Sequence, residues 1–111
     1  MREDEVYLSH IRDAIAQIQM YTTDGRESFF RNTMIQDAVV RNLEIIGEAV
    51  KHVSAELRDR NPEIPWQRVA GMRDVLIHNY LGVDLKLVWD VVQNRLPDLL
   101  RQIEQILGEN R

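Results

Sequence analysis

Arg73-Asp74-Val75-Leu76-Ile77-His78-Asn79-Tyr80 sets a cation where the surrounding pattern asks for an apolar side chain. From Trp66 onward, Trp66, Val69, Ala70, Ile77 and Leu81 recur at helical spacing, so the stretch is predicted to lie in a helix from Trp66 to Leu81. Pro65 suits its first turn and Gly82 its C-terminal stop. Arg73 falls on the apolar stripe, one turn after Val69 and one turn before Ile77, with Tyr80 on the same side and His78 at the stripe's edge. A guanidinium keeps its charge, so burying it unpaired is very costly, and Arg73 must meet a carboxylate, a group of carbonyls or an anionic ligand. A structural ion pair is the ordinary answer for such an arginine, and a satisfied helix residue is the ordinary answer for such a histidine. Arg73, His78 and Tyr80 so close together point instead to a site.

The rest of the chain reads as helices around this stretch. Tyr7, Leu8, Ile11, Ala14, Ile15 and Ile18 make one stripe of a first helix that starts near Asp4 and ends around Tyr21, before the turn cluster Thr22-Thr23-Asp24-Gly25. Residues 26–31 form a short turn carrying Phe29 and Phe30. A long helix follows, with Thr33 and Gln36 as a capping box or Asn32 as the cap, a stripe of Ile35, Val39, Leu43, Ile46, Val50, Val53 and Leu57, and an end at Asn61-Pro62. Asn42 lies inside that stripe and needs hydrogen-bond partners. It either faces the Arg73–His78 segment or bonds a neighbouring backbone carbonyl. Arg41, Glu44, Glu48 and Lys51 make a solvated face with paired charges, and Gly47 flanks the stripe where two helices can approach closely. Asp84 caps a last helix whose stripe of Leu85, Val88, Trp89, Val92, Leu96, Leu99, Ile103 and Ile106 keeps its phase across Pro97, which kinks it. No segment alternates like a strand. The expected architecture is all-α: an up-and-down bundle of four to five helices in a single domain over residues 1–111.

The motif Arg73-x4-His78-x-Tyr80 resembles the R-x4-6-H-x-Y signature of HEPN-domain proteins, specifically the HepT-like toxins paired with minimal nucleotidyltransferase antitoxins. Arg41-Asn42-Leu43-Glu44-Ile45-Ile46-Gly47-Glu48-Ala49 is similar to the family's central helix, and Trp66, Gly71-Met72-Arg73, Val83-Asp84, Val88-Trp89 and Leu96-Pro97 follow in the family's usual order. The resemblance covers roughly the whole chain. It implies a HEPN-like helical fold and a ribonuclease that works as a homodimer, with the motif lining the cleft between subunits. It also implies a second role for Tyr80: the antitoxin transfers AMP from ATP onto this tyrosine and silences the toxin. A bulky anionic adduct there would compete for Arg73.

The chemistry fits these residue types. RNA carries its own nucleophile in the 2′-hydroxyl, so a cut needs a proton acceptor, a proton donor and positive charge on the phosphate. An imidazole titrates near neutral pH, and the last turn of a helix would pull His78 upward. A guanidinium matches phosphate oxygens as a planar fork. Arg73 and His78 are therefore the catalytic candidates, with Asn42 and Asn79 supporting them and Tyr80 as the modified residue. On a straight helix Arg73 and His78 lie roughly 140° apart. Either the helix loosens after Ile77 or two subunits pool their motifs.

Composition narrows the classes. The chain has 111 residues, no cysteine and a formal net charge of −4, so an RNA site requires local cations, for which Arg41, Lys51, Arg68 and Arg73 are candidates. The absence of thiols suits a reducing cytoplasm. No apolar run approaches a membrane span, and the charged N-terminus is not a secretion signal. His10, His52 and His78 lack metal-ligand spacing, and no glycine-rich phosphate loop is present, so neither a metal nor a cofactor is expected. Three functions follow in order: a metal-independent endoribonuclease toxin neutralised by a nucleotidyltransferase antitoxin; a non-catalytic nucleotide-binding or AMP-accepting partner of such a nucleotidyltransferase; and a structural helical dimer with Arg73 locked to a neighbour's carboxylate such as Asp37 or Glu48.

Overall fold

A computed structural model describes residues 2–72, 74, 77–78 and 82–109. Helix α1, Arg2–Tyr21, opens with Glu3, Asp4 and Glu5 beside the positive end of its dipole. Its stripe of Leu8, Ile11, Ala14, Ile15 and Ile18 is buried as expected. The chain leaves it through Thr22, whose hydroxyl donates to the Ile18 carbonyl at 2.8 Å, and turns at Gly25, where φ is 92°. Helix α2, Arg26–Arg31, seats the fully buried Phe29 edge-on to Phe30 and against Trp89, with both ring centroids at 5.3 Å.

Helix α3, Thr33–His52, is capped by Asn32, whose side chain accepts from the backbone N–H groups of Met34 and Ile35 at 2.9 and 3.2 Å. Asn32 is thus the cap and Thr33 is not. The Gln36 amide donates back to the carbonyls of Phe29 and Phe30, tying α2 to α3. The long helix expected to reach Asn61 is divided. α3 ends at Val53, where the backbone is extended, and α4, Ala55–Arg60, starts afresh with Ser54 as its cap. The Ser54 hydroxyl accepts from the N–H of Leu57, and both its own N–H and its hydroxyl donate to the buried carboxylate of Asp4. Because Val53 and Leu57 are still buried on the same side, the apolar phase conceals this break.

Helix α5 runs only over Trp66–Ala70. Helical backbone is interrupted at Gly71, resumes at Met72 and Asp74, and has become extended by Ile77–His78 (β1), which pairs antiparallel with Gly82–Val83 (β2) in the register Ile77↔Val83 and His78↔Gly82. This corrects two expectations: the helix does not continue to Leu81, and a short strand pair is present. Gly82, at φ 87°, is a strand residue in the left-handed region and not a helix stop. The extended backbone at His78 also removes the reason for expecting a helix C-terminus to raise its pKa.

Asp84 caps helix α6, Leu85–Asn94, by accepting from the Leu87 N–H at 3.1 Å. Arg95 interrupts the helix for one residue while keeping right-handed helical angles, and helix α7, Leu96–Glu109, follows at once. Pro97 lies in the first turn of α7, where its missing N–H costs no intrahelical bond. Val88, Val92, Leu96, Leu99, Ile103 and Ile106 are all buried, so the apolar stripe keeps its phase across a break that falls at Arg95, before Pro97. The core lies where α1 packs on α3 and α7, with α5 laid across α3 and α6 against α7. The bundle is all-α apart from the two-residue strand pair, and the helices anticipated from the sequence appear as seven segments bounded within the described residues.

Candidate functional site

The segment carrying the motif hangs between two fixed points. On the upstream side, α5 crosses α3 at Gly47, where a Cβ would stand 3.3 Å from the Ala70 carbonyl oxygen and 3.4 Å from that of Val69. Only a residue without a side chain allows this approach unstrained. Trp66 anchors the start of α5: its ring is buried and its Nε1 donates to the Asn61 carbonyl at 2.9 Å. Met72 is buried immediately before Arg73. On the downstream side, the Asp84 cap fixes the entry to α6.

Arg73, Asn79 and Tyr80 lie outside the described residues, as does the side chain of His78. What is described is their frame: a helical turn at Met72 and Asp74, then an extended pair that sets His78 opposite Gly82. Asn42 is buried, 5% exposed, and its Nδ2 donates to the Ala38 carbonyl one turn back at 2.9 Å. That is the backbone-bonded alternative for its amino group. Of the local cations singled out in the sequence, Lys51 pairs with Glu48 at 3.7 Å on an exposed face that also carries the contact between His52 and Glu48. Arg41 is exposed on the same helix.

Arg68 is placed differently. Between α5 and α6 the surface opens into a groove of about 450 Å³, and Arg68 stands on its rim. Val69 and Met72, both buried, and the half-buried Leu87 and Val91 form the apolar floor. Arg68 and Arg95, with Gln67 and Asp90, are exposed around it. A second hollow continues it toward α7 and shares Pro65, Val69, Met72, Val91 and Arg95. Asp90 accepts from the Asn94 amide at 2.7 Å. Neither Arg68 nor Arg95 is paired with a carboxylate among the described residues. Arg95 was not singled out in the sequence, where it reads as one more charge on a helix. Nothing in the residue spacing marks it, because the apolar stripe runs through the break at Arg95. Among the described residues, no cluster of three His, Asp or Glu side chains is arranged to hold a metal, and no helix is long and apolar enough to cross a membrane.

Comparison with known proteins converges on one family. The family model described as "Ribonuclease HepT-like" matches residues 11–106, a span that contains the whole motif. A protein of Methanocaldococcus jannaschii named "Gamma-glutamylcyclotransferase and putative RNase" is 47% identical over 98% of this chain, which spans only 50% of that relative's length. A "Putative RNase" of Caldanaerobacter subterraneus is 37% identical over the full length of both chains. A "Probable ribonuclease HepT" of Thermococcus cleftensis is 41% identical over 95% of this chain and 96% of its own. No solved structure matches.

Proposed function

The chain belongs to the family of HepT-like ribonucleases, and from that premise we propose that it is an endoribonuclease that cuts RNA without a metal, using Arg73 and His78. The observation that carries this reading is the family match over residues 11–106, which encloses Arg73-x4-His78-x-Tyr80 without a departure from the motif. In the proposed reaction the 2′-hydroxyl oxygen attacks the adjacent phosphorus, forming the P–O2′ bond as the P–O5′ bond breaks. The 2′-proton leaves to a base, and the departing 5′-oxygen takes a proton from an acid. His78 serves as one of these groups, and the same residue of a second copy would supply the other. Arg73 holds the non-bridging oxygens as charge builds on them. Asn79 orients these groups, whereas the amino group of Asn42 is engaged by the Ala38 carbonyl.

In this reading the protein acts as a homodimer and as the toxin of a toxin–antitoxin pair. A nucleotidyltransferase antitoxin adds AMP to Tyr80: the tyrosine oxygen attacks the α-phosphorus of ATP, and pyrophosphate leaves. The added phosphate competes with RNA for Arg73.

The test is incubation with a structured RNA pool, after mass spectrometry has established that Tyr80 carries no AMP. Wild-type protein should leave fragments ending in 2′,3′-cyclic phosphate in the presence of EDTA, whereas Arg73→Ala and His78→Ala should leave the RNA intact with the fold preserved. Nucleotide binding without cleavage at high protein concentration would favour the non-catalytic partner instead.

A further inference from the structure

We propose that the groove between α5 and α6 is a binding subsite for an unpaired nucleotide of the RNA substrate, beside the position of cleavage. This rests on the ribonuclease reading and adds to it a place for the RNA that the motif itself does not provide.

Three observations carry it. The first is continuity along the chain. Gly71 and Met72 line the groove and directly precede Arg73, while Leu87 lines it three residues after the Asp84 cap that closes the motif segment. The lining residues thus flank the motif along the chain on both sides.

The second is charge. The chain as a whole carries −4, so its average field repels a polyanion. Yet Arg68 and Arg95 stand at this one opening with no carboxylate engaged to either among the described residues, and together they outnumber the one carboxylate that lines it, Asp90, whose Oδ1 accepts from the Asn94 amide. Two free guanidiniums at one rim are placed for phosphate oxygens, and their planar forks also stack on bases.

The third is shape and polarity. The groove's volume lies within the range of about 300–1,000 Å³ usual for small-ligand sites. Its floor of Val69, Met72, Leu87 and Val91 is apolar and suits the face of a base. Proteins that read single-stranded RNA typically splay a base out, pack its face and bond its edge. Gln67 and Asp90 stand at the rim where such an edge would lie.

The probe is a fluorescein-labelled single-stranded RNA oligonucleotide with 2′-O-methyl groups throughout. Capping the 2′-oxygen prevents cleavage, so binding is read apart from activity. Anisotropy titrations at several salt concentrations would compare the full-length wild type, Arg68→Ala/Arg95→Ala, Arg68→Lys/Arg95→Lys and Val91→Trp, with circular dichroism melting as the check on folding. The alanine pair should weaken binding at least tenfold and flatten the salt dependence by about 1.4 in log–log slope, since each single-strand phosphate contact contributes about 0.7. The lysine pair should keep most of the slope, because the charges remain. Val91→Trp should weaken binding severalfold at unchanged slope by filling the groove. The proposal is overturned if wild type binds no oligonucleotide, if the alanine pair leaves affinity and slope unchanged, or if free AMP binds as tightly as the oligonucleotide with the same dependence on Arg68 and Arg95, which would mark a mononucleotide pocket. Cleavage that survives with binding unchanged in the alanine pair removes the subsite and leaves the nuclease. Groove-dependent binding with no cleavage by wild type removes the nuclease and leaves the subsite.

Discussion

Asp4 and Ser54 are 50 residues apart in sequence, yet the Ser54 backbone N–H and hydroxyl both donate to the Asp4 carboxylate, at 2.8 and 2.7 Å. Asp4 is 2% exposed. The pair pins the first turn of α1 to the break between α3 and α4, and the same Ser54 oxygen caps α4. Replacing Asp4 with Ala leaves an unpaired N–H in a sparsely hydrated place and should cost about 1–3 kcal/mol in urea unfolding. Ser54→Ala should cost about 1–2 kcal/mol through the lost bond and the lost cap. The double variant should fall short of the sum of the two, because both substitutions remove the same contact. Additive losses would show that the bonds contribute independently of each other.

Gly47 tests how closely α5 rests on α3. Alanine there gains about 1 kcal/mol of helix propensity and pushes on two backbone carbonyls at 3.3 and 3.4 Å. Gly47→Ala should therefore stay within about 1 kcal/mol of wild type. Gly47→Val adds branched bulk against backbone that cannot rotate away and should destabilise by about 1–3 kcal/mol. Under the proposed function it should also reduce RNA cleavage beyond what the fraction unfolded explains, since it shifts the element leading to Arg73. Equal stability of the two variants would mean that the contact is looser than the distances state.

Phe29 is fully buried and packs against Trp89 and Phe30. Phe29→Ala should cost about 3–5 kcal/mol, enough to threaten folding altogether. Phe29→Leu retains most of the volume and should lose less than half of that. Thermal or urea melts of both variants decide this.

Under the proposed function, Tyr80 separates cleavage from its control. If the tyrosine is the acceptor of AMP and not an acid or base, Tyr80→Phe should keep cleavage within severalfold of wild type and become insensitive to a nucleotidyltransferase with ATP, with no mass increase. Loss of cleavage in Tyr80→Phe at intact fold would instead give the phenol a part in the reaction.

The helical stripes were legible because burial imposes a 3.6-residue period on apolar positions, and Leu8, Ile11, Val39, Leu43, Ile46, Val88, Val92 and Ile103 are buried where that period placed them. Two breaks were not legible for a related reason. Leu57 stays in phase with Val53 across the Ser54 break, and Leu96 stays in phase with Val92 across Arg95, so periodicity reads through both. The predicted helix through Leu81 failed where periodicity was thinnest. Between Ala70 and Ile77 the stripe rested on Arg73 alone, and the local residues favoured interruption: Gly71, the β-branched Val75 and Ile77, then Asn79 and Gly82. The Asp4–Ser54 bond and the pairing of Arg68 with Arg95 at one groove depend on tertiary placement, which residue spacing does not encode. Arg73, His78 and Tyr80 stood out as polar groups on or beside an apolar stripe, family resemblance supplied their roles, and the match over residues 11–106 supports the family on independent grounds.

The packing of α1 against both α3 and α7 has a consequence for cooperativity. α1 can lay its apolar stripe on α3, but that stripe is closed only when α7, far along the chain, docks on it as well. Long-range closure of this kind makes cooperative folding wait on contacts between elements distant in sequence. A chain truncated within α7 would therefore leave the α1 stripe open and unfold as a whole, rather than losing one helix.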